Sequence, residues 1–232
     1  MVLGFKAMRI STVLTGAALA FASASVANAA VVVGEAQEGN TYTINFTGLN
    51  GEPPTAAPEL QASLDLTFLT RSDNGRTYSF SYTIDNNSTV NSRISGIAFN
   101  AAEDLTGGST SGLFSQVKLG RNYPVGIGNV DFCLTNNNGN SCAGGGNSGV
   151  TSGNSGSGQF TVTLAESADQ LTIENFFIRF QSISPAVNGS TSGVGVEAAV
   201  PEPATWLMMM FGFAAVGGMM RQRKQMVKVT YA

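Results

Sequence analysis

Leu60–Ile84 reads LQASLDLTFLTRSDNGRTYSFSYTI. Leu60, Ala62, Leu64, Leu66 and Phe68 alternate with Gln61, Ser63, Asp65 and Thr67. Tyr78, Phe80, Tyr82 and Ile84 repeat the alternation after the turn. Period-two patterning marks strands that bury one face only. Asn74-Gly75 between the two runs is a strong hairpin signal, because both residues tolerate positive φ. The stretch therefore predicts an antiparallel pair with one apolar face.

The same pattern recurs along the chain. Tyr42, Ile44 and Phe46 alternate in TYTINF, and Phe160, Val162 and Leu164 in QFTVTL. Further strands are expected at residues 94–99, 114–119, 130–134, 171–173 and 176–180. About nine strands with one polar face each predict an all-β fold, an antiparallel β-sandwich of jelly-roll or immunoglobulin-like type. The exception is NNNGNSCAGGGNSGVTSGNSGSG at residues 136–158, which offers almost nothing to bury and is expected to be a mobile surface loop.

Both ends differ from this middle. Lys6 and Arg9 precede an apolar run from Ile10 to about Phe21, followed by SASVANAA. Ala27-Asn28-Ala29 has the small-x-small pattern of a signal-peptidase site, so residues 1–29 are read as a signal peptide cleaved after Ala29. Residues 30–199 are then the exported domain and 200–232 a tail. In the tail, Pro201 and Pro203 bracket Glu202 and hold the backbone extended. Residues 204–220 follow without a charge. As a helix they would span about 25 Å, near the lower limit for crossing a bilayer. Trp206 stands where an interfacial aromatic belongs, and the basic cluster 221–224, with Arg221, Arg223 and Lys224, is expected to stay cytoplasmic.

Composition narrows the chemistry. Between residues 30 and 200, six Lys or Arg stand against fourteen Asp or Glu, a net charge of −8. Such a domain repels phosphate backbones, so no nucleic-acid partner is expected. The chain has no histidine, which removes the commonest general base and transition-metal ligand. No cofactor, metal or catalytic set is called for. Paired carboxylates could serve glycoside chemistry, with Glu103-Asp104, Asp131 and Glu174 available. Arg179, in FFIRFQ, is expected to leave the sheet and pair with an acid. Cys133 and Cys142 are the only cysteines, and an even count in an exported chain predicts a disulfide tying the glycine-rich loop to a strand.

The tail resembles the PEP-CTERM sorting signal. The likeness covers Pro201-Glu202-Pro203, Trp206 three residues after the second proline, the apolar stretch and the basic cluster. It departs at Leu207 and in the MVKVTYA extension. The resemblance implies an exosortase, an integral-membrane cysteine protease or transpeptidase, as processing partner. It also implies transient anchoring in the inner membrane through residues 204–220, a cell-surface or extracellular destination, and association with exopolysaccharide or biofilm. SRISGIAFN (residues 92–100), VDFCLTNNNGNSCAGGG (130–146) and ENFFIRFQSI (174–183) resemble the cistern family of PEP-CTERM proteins. Together these readings predict an exported, non-catalytic surface or matrix protein, handled by signal peptidase and then exosortase. A carbohydrate-binding module and a carboxylate-dependent glycosidase are the alternatives.

Overall fold

A computed structural model describes residues 30–144 and 148–198, together with positions 209, 210, 212–214 and 217. The strands are β1 (Val31–Gly34), β2 (Thr41–Asn50), β3 (Thr55–Ser72), β4 (Thr77–Asn86), β5 (Asn91–Ala101) and β6 (Leu105–Gly112). They continue with β7 (Gln116–Tyr123), β8 (Gly128–Thr135), β9 (Val150–Thr151), β10 (Ser155–Leu164), β11 (Gln170–Ser184) and β12 (Gly193–Glu197). The β3–β4 hairpin turns at Asp73–Gly75, where all three residues adopt positive φ, as the Asn-Gly signal requires.

All pairings between these strands are antiparallel, so the expected all-β architecture stands. The two separate sheets of a sandwich do not. The strands join one sheet in the order β6-β10-β4-β3-β2-β12-β11-β5-β8-β7, with β1 added on β11 and β9 on β5. That sheet curls until its far parts meet. Phe160 on β10 lies 5.6 Å from Phe132 on β8 and 5.9 Å from Phe99 on β5, ring centre to ring centre. Phe160 also stacks on Phe80 of the neighbouring β4 at 5.0 Å, and Phe99 stacks on Phe132 at 4.9 Å. Alternation alone cannot tell two sheets from one that folds over, because both bury one face of every strand. The strand joining the halves is β12, GVGVE, whose glycines allow close backbone approach but blur its pattern.

One region is buried on both faces. In β5 the eight residues Ser92–Phe99 are all buried. Ile94, Ile97 and Phe99 join the main core, while Ala98 packs with Tyr123, Val130, the two cysteines and Val194 on the opposite side. The segment covering that second side is the glycine-rich stretch. Its reading as a mobile surface loop with almost nothing to bury is corrected. Cys142 and Val150 are buried, Val150–Thr151 pair with β5, and Ser155–Gly158 open β10. Residues 145–147 lie outside the described residues.

The cleavage residues Ala27 and Ala29 also lie outside the described residues, as do Pro201, Glu202, Pro203, Trp206, Arg221, Arg223 and Lys224. Within the expected 204–220 helix, the described positions Met209, Met210, Gly212, Phe213, Ala214 and Gly217 are helical and exposed. Among the described residues no helix is long and apolar enough to cross a membrane.

Candidate functional site

Cys133 and Cys142 form a disulfide, their Cα atoms 6.1 Å apart, within the ordinary range. The bond is buried and secures one end of the glycine-rich segment to β8. Two arginines secure the rest. Arg179 Nε donates to the Ala143 carbonyl at 2.9 Å, and a terminal nitrogen donates to the Gly193 carbonyl at 2.9 Å. Arg93 donates to the Ser148 carbonyl at 3.1 Å, and Gln181 adds a second donor to Ala143 at 3.3 Å. The expectation that Arg179 leaves the sheet to meet an acid is therefore overturned. Its side chain is buried, and backbone carbonyls take its donors. Burial pulls its pKa down, and the neighbouring Tyr123 hydroxyl opposes that shift. A guanidinium can act this way because its planar fork reaches several carbonyls at once and loses its charge at no ordinary pH.

Two glycines let the segment lie close. Gly149 has φ +136°, and a side chain there would collide with the Ile94 carbonyl; Gly144 has φ +76° and rests on Ser95. What reads in the sequence as floppiness is thus, at residues 142–144 and 149–151, a close-lying cover over β5 and β11. Sequence reasoning missed it because glycine serves mobility and close packing equally well. The buried Arg93 and Arg179 were the available signal, since a charge on a core-facing strand needs carbonyl or acid partners.

The carboxylates considered for glycoside chemistry are not gathered around one cleft. Glu103 accepts from the Thr172 backbone N–H at 2.9 Å, and Asp131 from that of Ala101 at 3.1 Å. Glu174 lies opposite Asn100 in the β11–β5 register, and Asp104 lines an open depression of about 280 Å³ with Glu103 and Glu166. Among the described residues no group of three or more Cys, Asp or Glu is placed to hold a metal ion.

The outward face of β2, β3, β4, β10 and β6 is a polar array. Register places Thr41, Thr67, Ser81, Gln159 and Ser111 in one cross-strand row. The adjacent row holds Thr43, Asp65, Thr83 and Ser157. Neighbours within these rows bond, Thr41 to Thr67 at 2.8 Å and Thr43 to Asp65 at 2.5 Å, and Ser155 bonds Asp85 in the row beyond. Two shallow depressions, of about 320 and 150 Å³, meet at Gln159. Neither row contains a cation.

The last strand brings the domain to its tail. β12 lies between β2 and β11. Glu197 accepts from the Phe176 backbone N–H at 2.6 Å, and Ala198 N–H donates to the Asn45 carbonyl at 2.7 Å. The next residue opens a family match: the model of the PEP-CTERM protein-sorting motif covers residues 199–224. Residues 199–224 are a PEP-CTERM sorting signal. The PEP-CTERM match takes in the Pro-Glu-Pro triplet, the apolar stretch and the basic cluster, so the sorting residues read from the sequence fall inside it. A PEP-CTERM signal marks an exported protein for exosortase-dependent sorting. The match does not extend into the segments that resemble the cistern family. No curated protein matches the chain.

Proposed function

We propose that the chain is a non-catalytic surface or matrix protein, exported under its amino-terminal signal peptide and anchored briefly by an apolar helix at residues 204–220. Exosortase then matures it, and the β-domain is delivered to the cell surface among exopolysaccharide. The observation that carries this reading is the PEP-CTERM motif at residues 199–224, joined directly to the last strand of a folded domain. The test is maturation of the full chain in a cell that carries an exosortase. Replacing Pro201 and Glu202 by Ala should leave the precursor in the inner membrane, whereas the unaltered chain is shortened and leaves it. Normal maturation of the variant overturns the reading.

A second reading, glycan contact by the domain itself, is favoured by the polar rows. Hydroxyl, amide and carboxylate groups held in register can exchange hydrogen bonds with a polyhydroxylated chain, and the two depressions flanking Gln159 give such a chain relief to follow. Retention of the matured protein on the producing cell's exopolysaccharide should fall when Asp65 and Gln159 are both replaced by Ala. An unaltered protein that the polysaccharide fails to retain refutes this reading.

A further inference from the structure

The junction between sheet and sorting motif has almost no slack. Ala198 makes the last described hydrogen bond of the domain, and only Ala199 and Val200 separate it from Pro201. Three residue steps reach at most about 10 Å, even fully extended. An enzyme that closes on Pro201–Pro203 must therefore work against the rim of the sheet. Processing enzymes that take an extended segment do so largely through its main-chain N–H and C=O groups. At residues 197 and 198, four and three positions ahead of Pro201, those groups are already committed. Glu197 is in register with Phe46 of β2, and Ala198 N–H bonds Asn45.

β12 cannot swing away as a whole. It is an internal strand, and lifting it would split the sheet between β2 and β11. Only its last residues can open, and the Glu197 side chain holds them on the β11 side. β11 has an irregular register between Glu174 and Phe177, with Asn175 at φ +49°. The Phe176 N–H meets the Glu197 carboxylate, which lies one residue beyond the final β11–β12 pair, Phe177 with Val196.

We infer that Glu197 is a latch on maturation: its bond to Phe176 keeps the end of β12 zipped, and exosortase engages its substrate fully only when residues 197 and 198 peel from the sheet. Glu197 is then a positioning residue that acts through the backbone ahead of the motif and touches no reacting atom. The inference rests on the reading of residues 199–224 as an exosortase substrate.

The test follows precursor-to-mature conversion of the full chain by pulse-chase, alongside protease resistance of the folded domain. Glu197→Ala should mature three- to tenfold faster, about the change in local opening expected from losing one ordinary net hydrogen bond. Glu197→Gln, which keeps an acceptor oxygen, should stay near the unaltered rate. Six Gly/Ser residues inserted after Ala198 should accelerate maturation to a similar degree and make it insensitive to Glu197→Ala. Unchanged or slower maturation of the insertion variant overturns the latch. So does equal acceleration by the Gln and Ala variants, or an unchanged rate in Glu197→Ala. Should Glu197→Ala lose its protease resistance, the insertion variant, which leaves the sheet intact, decides alone. The Pro201 and Glu202 double variant separates the two ideas: if it matures normally the exosortase reading itself fails, and if it is blocked while the latch variants do nothing, only the latch fails.

Discussion

Phe160 and Phe132 offer a direct test of how the sheet closes. They sit on β10 and β8, near opposite ends of the strand order, yet their rings lie 5.6 Å apart. Phe160 is buried against four aromatic rings, those of Phe80, Tyr82, Phe99 and Phe132. Truncating it to Ala should destabilise by about 3–5 kcal/mol, since burial is lost and a cavity remains. That is a large fraction of the roughly 5–15 kcal/mol of a typical domain, so a double Ala variant would risk unfolding outright. Leucine keeps most of the apolar volume and removes the ring geometry, for under about 1.5 kcal/mol per site. A double-mutant cycle with Phe160→Leu and Phe132→Leu, measured by urea unfolding of the exported form, isolates the contact. Coupling of about 0.5–1.5 kcal/mol is expected for an aromatic pair in contact. Additive losses would refute the curled sheet, because residues on opposite limbs of an open sheet have no means of coupling.

Three further outcomes follow from the same packing. Arg179→Met keeps an apolar stem but strips donors from the Ala143 and Gly193 carbonyls; it should destabilise by about 2–4 kcal/mol and open residues 136–149 to limited proteolysis, checked by mapping the first cleavage. Replacing both cysteines by Ser removes a bridge of sequence separation 9 and should lower stability by about 2–3 kcal/mol in chemical denaturation, with the same segment becoming protease-sensitive. Burial raises the Glu197 pKa above its ordinary 4.5, against the lowering effect of the Phe176 N–H. The folded state therefore holds the proton more tightly than the unfolded one, so stability attributable to this group is full below 4.5 and declines as pH rises through the folded value. Glu197→Gln should therefore show a flatter stability profile above pH 4.5 than the unaltered domain, and parallel profiles would contradict the assignment.

The strands and the tail were legible in the sequence for different reasons. Alternation at Leu60–Phe68 and Tyr78–Ile84, with Asn74-Gly75 between them, reports burial of one face and a positive-φ turn, and both are local properties. The sorting signal is linear, so Pro201–Pro203, the apolar stretch and the basic cluster announce it without any fold. β6 and β12 were missed because LTGGSTSG and GVGVE carry few bulky residues, and the neighbours that bury Val194 are distant in sequence. Sheet closure was invisible for a related reason. Whether Phe160 meets Phe132 across one sheet or between two leaves the same alternating trace. The carbonyl partners of Arg179 could not be read either, because main-chain acceptors have no sequence signature.

The curled sheet stops short of a closed ring, with β6 and β7 at its two ends. Where copies of such a domain meet at high concentration, the exposed backbone of one could template the next and knit fibres. The two borders are ill suited to that. β6 is mostly glycine, serine and threonine, so a strand laid on it would gain main-chain bonds but bury little apolar surface. β7 carries Lys118 and Arg121, so two copies joined along it would bring like charges together. The incomplete barrel is thereby guarded by composition at the places where its geometry leaves it open, and crowding need not become polymerisation.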